Sequence, residues 1–135
     1  VEQFQRLLGA AFYPFTLLIG VAPEDAGLIS GILGERIVLT EVVSYQHLSE
    51  ALRSGALANP RTAAIASYAL CGFSHVASMA IFVGGIAALV PERAADLSRL
   101  GPRALFASTL ACLQTAAVAG VFIGETGGFL IRSAG

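Results

Sequence analysis

The amino-acid sequence predicts an all-α membrane protein, built from transmembrane helices and one re-entrant helical hairpin, with one helix broken near Gly72. Composition is the first observation, since 56% of the 135 residues are hydrophobic and only 13% are charged, with a mean hydropathy of +0.75. These fractions lie well outside those of an ordinary soluble domain. The alternative is a small soluble helical bundle with a large apolar core.

Two long uncharged segments separate these alternatives. Residues 62–91 contain no Asp, Glu, Lys or Arg, and neither do residues 104–124. A helix needs about 20 apolar residues to cross the hydrocarbon core, and soluble helices rarely extend so far without a charge. Both segments are therefore predicted to insert into a membrane. The net charge of -1 gives no indication of a nucleic-acid partner.

The N-terminal third of the chain is less regular. Residues 1–22 are predicted to form a kinked helix or the end of a span, because Pro14 interrupts an apolar stretch. Residues 24–55 contain two short apolar halves separated by polar residues that include Glu41. Neither half is long enough to cross a bilayer, so this segment is predicted to be a re-entrant hairpin whose irregular backbone is buried in protein or lines a wet cavity.

Helix-start signals mark the boundaries of these elements. Pro23 is followed by Glu24 and Asp25, a pattern typical of a first helical turn with acids at the positive end of the dipole. Asn59 and Pro60 are predicted to be the N-cap and first residue of the next helix. Another short helix is predicted to begin at Pro91.

The C-terminal half is predicted to contain two spans joined by a connector. Residues 60–90 form the broken transmembrane helix, residues 91–103 form a cytoplasmic connector, and residues 104–131 form the last transmembrane helix. Short basic loops tend to remain in the cytoplasm, so the mouth of the hairpin would face the outside. The connector carries three arginines: Arg93, Arg99 and Arg103.

Glu41 is the first candidate functional residue, because an ionisable group in a membrane segment is costly and usually serves function. The alternative is a structural carboxylate that Arg36 or backbone N–H groups at a helix break would satisfy. Arg36 precedes Glu41 by five residues, which is not the three- or four-residue spacing of a pair on one helix.

A second polar cluster lies in the predicted broken span. Ser74, His75 and Ser78 follow Gly72 closely, and glycine is a weak point in a helix. A discontinuous helix would present these groups to a polar ligand. The alternative is that the serines hydrogen-bond to carbonyls one turn earlier and that His75 is a satisfied interior histidine.

The remaining signals are structural. Small residues at helical spacing allow close helix packing in lipid; they are Gly27, Gly31, Gly34, Gly120 and Gly124. Cys71 and Cys112 lie in apolar segments without C-x-x-C spacing and are predicted to be interior thiols. The sequence offers no nucleophile with a base, no phosphate-binding glycine loop and no metal-ligand cluster, so an enzyme is not expected.

Two segments resemble motifs of the concentrative nucleoside transporter family. Gly34, Arg36 and TEVVSY at 40–45 resemble the family motif G-x-K/R-x-x-x-N-E-F-V-A-Y. ALCGFSHVAS at 69–78 resembles the family motif A-L-C-G-F-A-N-F-S-S. The order of hairpin, broken span and last span also matches, so the resemblance covers nearly the whole chain.

The resemblance implies a transporter that takes up nucleosides using a sodium or proton gradient, with no other cofactor. By match, Glu41 would accept hydrogen bonds from the ribose hydroxyls, and His75 and Ser78 would also contact the ribose. Phe73 would lie against the nucleobase, and Thr40 would belong to the same nucleoside-binding set. Thr40 and His75 stand where the family has asparagines. His75 could titrate beside Glu41 or stay neutral and replace hydrogen bonds of the asparagine.

The same resemblance implies the setting of the chain. Its relatives form homotrimers surrounded by membrane lipid, and the expected location is a multi-pass position in the cell membrane, such as the bacterial inner membrane. An N-terminal half, missing here, would complete the base-binding face and hold most of the coupling-ion site. The alternative is a structural or regulatory membrane subunit that has a transporter-like fold and no transport activity.

Overall fold

A computed structural model of the chain describes residues 2–124, with side chains from residue 6 onward. All regular elements of these residues are helical, which confirms the all-α prediction. The part of the predicted last span beyond residue 124 lies outside the described residues. The six α-helices are Glu2–Leu18 (α1), Pro23–Glu35 (α2), Glu41–Arg53 (α3), Pro60–Leu70 (α4), Val76–Leu89 (α5) and Ala94–Phe122 (α6), and a 3-10 turn, Pro91–Arg93, precedes α6.

The predicted helix-start signals are confirmed. Pro23 is the first residue of α2, whose first turn carries Glu24 and Asp25. Asn59 is the N-cap of α4, and its Oδ1 accepts a hydrogen bond from the backbone N–H of Arg61 at 2.9 Å. Local sequence therefore determines where these helices begin, since a cap and a fixed proline φ act within one turn.

Close helix packing occurs at two of the predicted glycines. A β-carbon added at Gly34 would lie 2.9 Å from the backbone nitrogen of Gly9, so α1 and α2 approach backbone to backbone there. A β-carbon at Gly120 would lie 3.1 Å from the carbonyl oxygen of Ile19. Gly27 and Gly31 have open space at this position. Small residues thus permit the α1–α2 contact, which is the most extensive helix pair in the structure.

The apolar core lies between α2, α4 and α6. Ile29, Ile65 and Leu70 are its largest fully buried side chains. The end of α1 and Leu48 of α3 close the core at its edges. The core therefore joins the predicted hairpin to the first part of the predicted broken span.

Asp25 ties the beginning of α2 to the beginning of α4. Its carboxylate accepts hydrogen bonds from the backbone N–H groups of Ala58 (2.8 Å) and Asn59 (3.1 Å) and from the hydroxyl of Thr62 (2.7 Å). Burial by itself would raise the pKa of Asp25, but these three hydrogen bonds lower it below its ordinary value. The ionised carboxylate thus stabilises the contact between the beginnings of α2 and α4.

One helical stretch is long and apolar enough to cross a membrane among the described residues. It is Pro91–Phe122, with 32 residues, within which an 18-residue window has a mean hydropathy of 1.7. The shorter apolar helices are Arg6–Leu18 and Val76–Leu89. The uncharged segment 62–91 is divided between α4 and α5, so it does not form one continuous helix.

The predicted connector and the predicted last span share one helix. Residues 94–122 form α6, which continues from the connector into the last span without interruption. Pro102 lies inside α6, and neighbouring helices can tolerate the hydrogen bond that a proline removes. The arginines end the apolar stretch, but arginine is a good helix former, and the helix continues through them.

Candidate functional site

A non-helical segment separates α4 from α5. Gly72 has a φ of +150°, a backbone conformation that residues other than glycine rarely adopt. A β-carbon at Gly72 would lie 2.7 Å from Cys112 Sγ, and this sulfur donates to the carbonyl of Cys71 at 3.4 Å. The hydroxyl of Ser74 lies 3.5 Å from the same sulfur. Backbone conformation and contact with α6 therefore both require glycine in this interruption, defined as residues 71–75.

The interruption brings His75 to Glu41. Glu41 Oε2 lies 2.7 Å from His75 Nε2, and the two side chains are 19% and 6% exposed. Oε2 is buried and has no aligned hydrogen-bond donor among the described residues. The contact is therefore close but poorly directed, and the carboxylate keeps acceptor capacity for another group.

His75 is also the N-cap of α5. Its Nδ1 accepts a hydrogen bond from the backbone N–H of Ser78 at 3.1 Å, and the hydroxyl of Ser78 lies 2.7 Å from Nε2. An accepting Nδ1 carries no proton, so a neutral ring would bear its hydrogen on Nε2, whose hydrogen-bond partner is the Ser78 hydroxyl. The cap fixes both the orientation and the tautomer of the imidazole.

Two helix N-termini meet at the Glu41 carboxylate. Glu41 is the first residue of α3, and His75 caps α5. The positive ends of helix dipoles favour a negative charge nearby. This arrangement explains how the chain holds a largely buried carboxylate without a lysine or arginine beside it.

Arg36 does not satisfy Glu41. Its guanidinium, with the residue only 2% exposed, donates through Nη1 to the carbonyl of Ala69 near the end of α4. The proposed back-bonds of the two serines are also wrong, since Ser74 contacts Cys112 and Ser78 contacts His75. The Arg36 pair and the serine back-bonds are therefore absent among the described residues, whereas a buried His75 that accepts from the Ser78 backbone N–H fits the alternative of a satisfied interior histidine.

The other two predicted site residues are exposed. Thr40 lies at the N-cap position of α3, and its side chain makes no capping hydrogen bond. Phe73 is 71% exposed and lines a cavity of about 250 Å³ between α5 and α6, beside Met79 and Phe82. The polar side-chain contacts of the described residues join Glu41, His75 and Ser78.

Sequence reasoning missed two parts of this region. Cys71 is exposed rather than interior, whereas Cys112 is buried as predicted. Glu35 and His47 pair across α2 and α3, with Glu35 Oε1 2.5 Å from His47 Nδ1. A carboxylate at the end of one helix and a histidine in the next carry a weak sequence signal, because their pairing depends on how the turn folds.

Comparison with known proteins assigns the family. The sequence model described as "Na+ dependent nucleoside transporter C-terminus" matches residues 2–120. The chain belongs to this family. It is similar to solute carrier family 28 member 3 of Eptatretus stoutii (37% identity, 87% of this chain, 19% of that protein). It is also similar to nucleoside permease NupC of Helicobacter pylori (34% identity, 87% of this chain, 29% of that protein).

Solved structures agree with this assignment. The chain superimposes on CNTnw in an inward-facing substrate-bound state with a TM-score of 0.83 and 38% identity, over 91% of this chain and 30% of that chain. The chain therefore spans less than a third of the length of these relatives. The family to which the chain belongs is one of nucleoside transporters.

Proposed function

We propose that this chain is the C-terminal part of a cation-coupled transporter that takes up nucleosides, and that Glu41, His75 and Ser78 bind the ribose. One observation carries the proposal. A buried carboxylate oxygen without an aligned donor lies 2.7 Å from an imidazole at an interrupted helix. An unsatisfied buried acceptor is costly, and a ligand hydroxyl would remove that cost.

Carboxylate chemistry suits a vicinal diol. Two oxygens can accept hydrogen bonds from two neighbouring hydroxyls, and such charge-assisted bonds are stronger than neutral ones. The hydroxyl of Ser78 can donate or accept, whereas His75 offers only its Nε2–H because Nδ1 is engaged by the α5 cap. The exposed ring of Phe73 is proposed to lie against the nucleobase, with Thr40 at the edge of the site.

The family and the helix lengths support a proposed membrane layout. We propose that α6 crosses the membrane, that α4 and α5 form the two halves of a broken span, and that α2 and α3 form a re-entrant hairpin. The arginines near the start of α6 would lie in the cytoplasm. Discontinuous helices of this kind place polar backbone at the depth where transporters bind their substrates.

The remaining parts of the transporter lie outside this chain. The coupling ion, Na+ or H+, is proposed to bind mainly to the N-terminal half, which would also complete the base-binding face. The assembly is proposed to be a homotrimer in the cell membrane, with the bacterial inner membrane as the expected location. The family description names sodium-dependent transport, and this supports the proposed cation coupling.

Glu41→Gln in the full-length protein tests the proposal. Uridine and adenosine uptake should fall at least about tenfold at equal membrane expression, because a charge-assisted hydrogen bond is replaced by a neutral one. Glu35→Gln is the matched control, since it removes a carboxylate of the same helix pair that contacts His47 and not His75.

Two outcomes would count against the assignment. Parental uptake in Glu41→Gln would show that this carboxylate does not hold the substrate. Absence of both uridine and adenosine binding to the purified full-length parent would favour a structural or regulatory subunit.

A further inference from the structure

Two consecutive residues between α2 and α3 hold both ends of the interruption. Arg36 Nη1 donates to the carbonyl of Ala69, in the last turn of α4. The carbonyl of Ile37 accepts from the backbone N–H of Val76, the first residue of α5, at 3.0 Å. These two contacts join residues 36–37 to the segment that carries His75.

Arg36 is a buried cation that depends on α4. The residue is 2% exposed, it forms no salt bridge among the described residues, and Nη2 has no hydrogen-bond partner there. A buried charge is costly unless other groups compensate it. The negative end of the α4 dipole and the Ala69 carbonyl supply that compensation, since cations are favoured at helix C-termini.

The surroundings of the guanidinium offer few other acceptors. The cavity beside it has no room for a water molecule in this arrangement. Its lining includes the apolar residues Phe12, Leu33 and Leu113, with Thr109 as a polar member. The Ala69 carbonyl is therefore the acceptor that compensates the buried charge, and this contact couples Arg36 to the end of α4.

We propose that Arg36 is a positioning residue of the nucleoside site. By anchoring the end of α4, it fixes the interruption so that His75 faces Glu41, without itself touching the substrate. This inference rests on the proposed function of the Glu41–His75 cluster. It assigns to Arg36 control of substrate affinity, beyond a contribution to stability.

The experiment compares three arginine variants of the full-length transporter. Arg36→Met removes both the charge and the hydrogen-bond donor. Arg36→Lys keeps both, but on an ammonium group that lacks the planar geometry of the guanidinium. Arg61→Met is the matched control, because Arg61 also donates to a carbonyl near a helix C-terminus, that of Gly120, at 2.6 Å. The readouts are the uridine dissociation constant and the alkylation rate of Cys71, the exposed thiol of the interruption, read by peptide mass spectrometry.

Arg36→Met should weaken uridine binding at least about tenfold and accelerate Cys71 alkylation, because a charged hydrogen bond is lost. Arg36→Lys should recover most of the affinity. Arg61→Met should lower thermal stability while leaving both readouts at parental values. Parental affinity in Arg36→Met, or equal loss of affinity in Arg36→Met and Arg61→Met, would overturn the positioning role.

Two further results keep the test decisive. If Arg36→Met does not reach the membrane, Arg36→Gln replaces it, since this change also removes the charge; a uridine affinity and a Cys71 alkylation rate equal to those of the parent would then overturn the proposal. Glu41→Gln is measured in parallel. Parental uridine affinity in that variant would refute the nucleoside site itself, whereas loss in Glu41→Gln with parental affinity in Arg36→Met would refute only the role of Arg36.

Discussion

Gly72→Ala should destabilise the protein through two separate effects. A side chain at a φ of +150° strains the backbone, and the new β-carbon would lie 2.7 Å from Cys112 Sγ. Backbone strain of this kind costs about 1–3 kcal/mol, and overpacking costs about 1–3 kcal/mol. The free energy of unfolding should therefore fall by about 2–6 kcal/mol.

A double-mutant cycle separates the two effects. Cys112→Ala removes the obstructing sulfur, so Gly72→Ala should cost about 1–3 kcal/mol less in that background. The backbone strain remains in both backgrounds. Unfolding is measured by titration with SDS in mixed micelles, and nucleoside uptake is followed alongside.

Gly84→Ala provides the control for this cycle. Gly84 lies within α5, and an added β-carbon would meet nothing within 4 Å. Alanine is the better helix former, so this variant should be as stable as the parent or slightly more stable. Additive energies in the Gly72 and Cys112 cycle would show that the sulfur is not the obstacle, and parental stability of Gly72→Ala would refute both parts of the reasoning.

Three further predictions follow from the same contacts. His75→Asn should keep the parental pH profile of uptake between about pH 5.5 and 8, because Nδ1 of His75 accepts the α5 capping hydrogen bond, a role that an asparagine side-chain oxygen can fill; a changed profile would contradict this expectation. Asp25→Asn should cost about 1–3 kcal/mol at neutral pH. Because the native pKa of Asp25 is lowered, its carboxylate stabilises the fold above the ordinary carboxyl pKa, and this stabilisation is lost as pH falls through the native pKa. A difference in unfolding free energy between variant and parent that persists in strong acid would contradict the argument. Cysteines at the exposed positions Glu24 and Ser49 should react with an impermeant thiol reagent from the same, outer side; labelling of Ser49→Cys from the cytoplasm alone would refute the hairpin as oriented.

Much of the helical layout follows from local sequence. Pro23, Asn59 with Pro60, and Pro91 each begin an element where the sequence predicts one. These signals are readable because capping, proline geometry and dipole effects act within a single turn. The boundary between residues 103 and 104 was predicted from charge, and it does not coincide with a helix end, because charge distinguishes membrane from water better than it distinguishes helix from loop.

The sequence predicts the two motifs of the candidate site, but it does not predict how their side chains are arranged in space. The sequence places Glu41 after one apolar stretch and His75 within another, and the family resemblance relates both to one ligand. It gives Arg36 and Glu41 as possible partners. In the structure Arg36 instead contacts Ala69, and Glu41 contacts His75.

The sequence by itself determined the all-helical class, the helix starts and the residues of the two motifs. Only the tertiary structure decided the partners of the buried charges. Helix starts depend on hydrogen bonds within a few residues, whereas a buried carboxylate or guanidinium is satisfied by whatever group packing brings to it. Here the packing of residues 36–37 against the end of α4 and the start of α5 places the Glu41 carboxylate at the N-termini of α3 and α5.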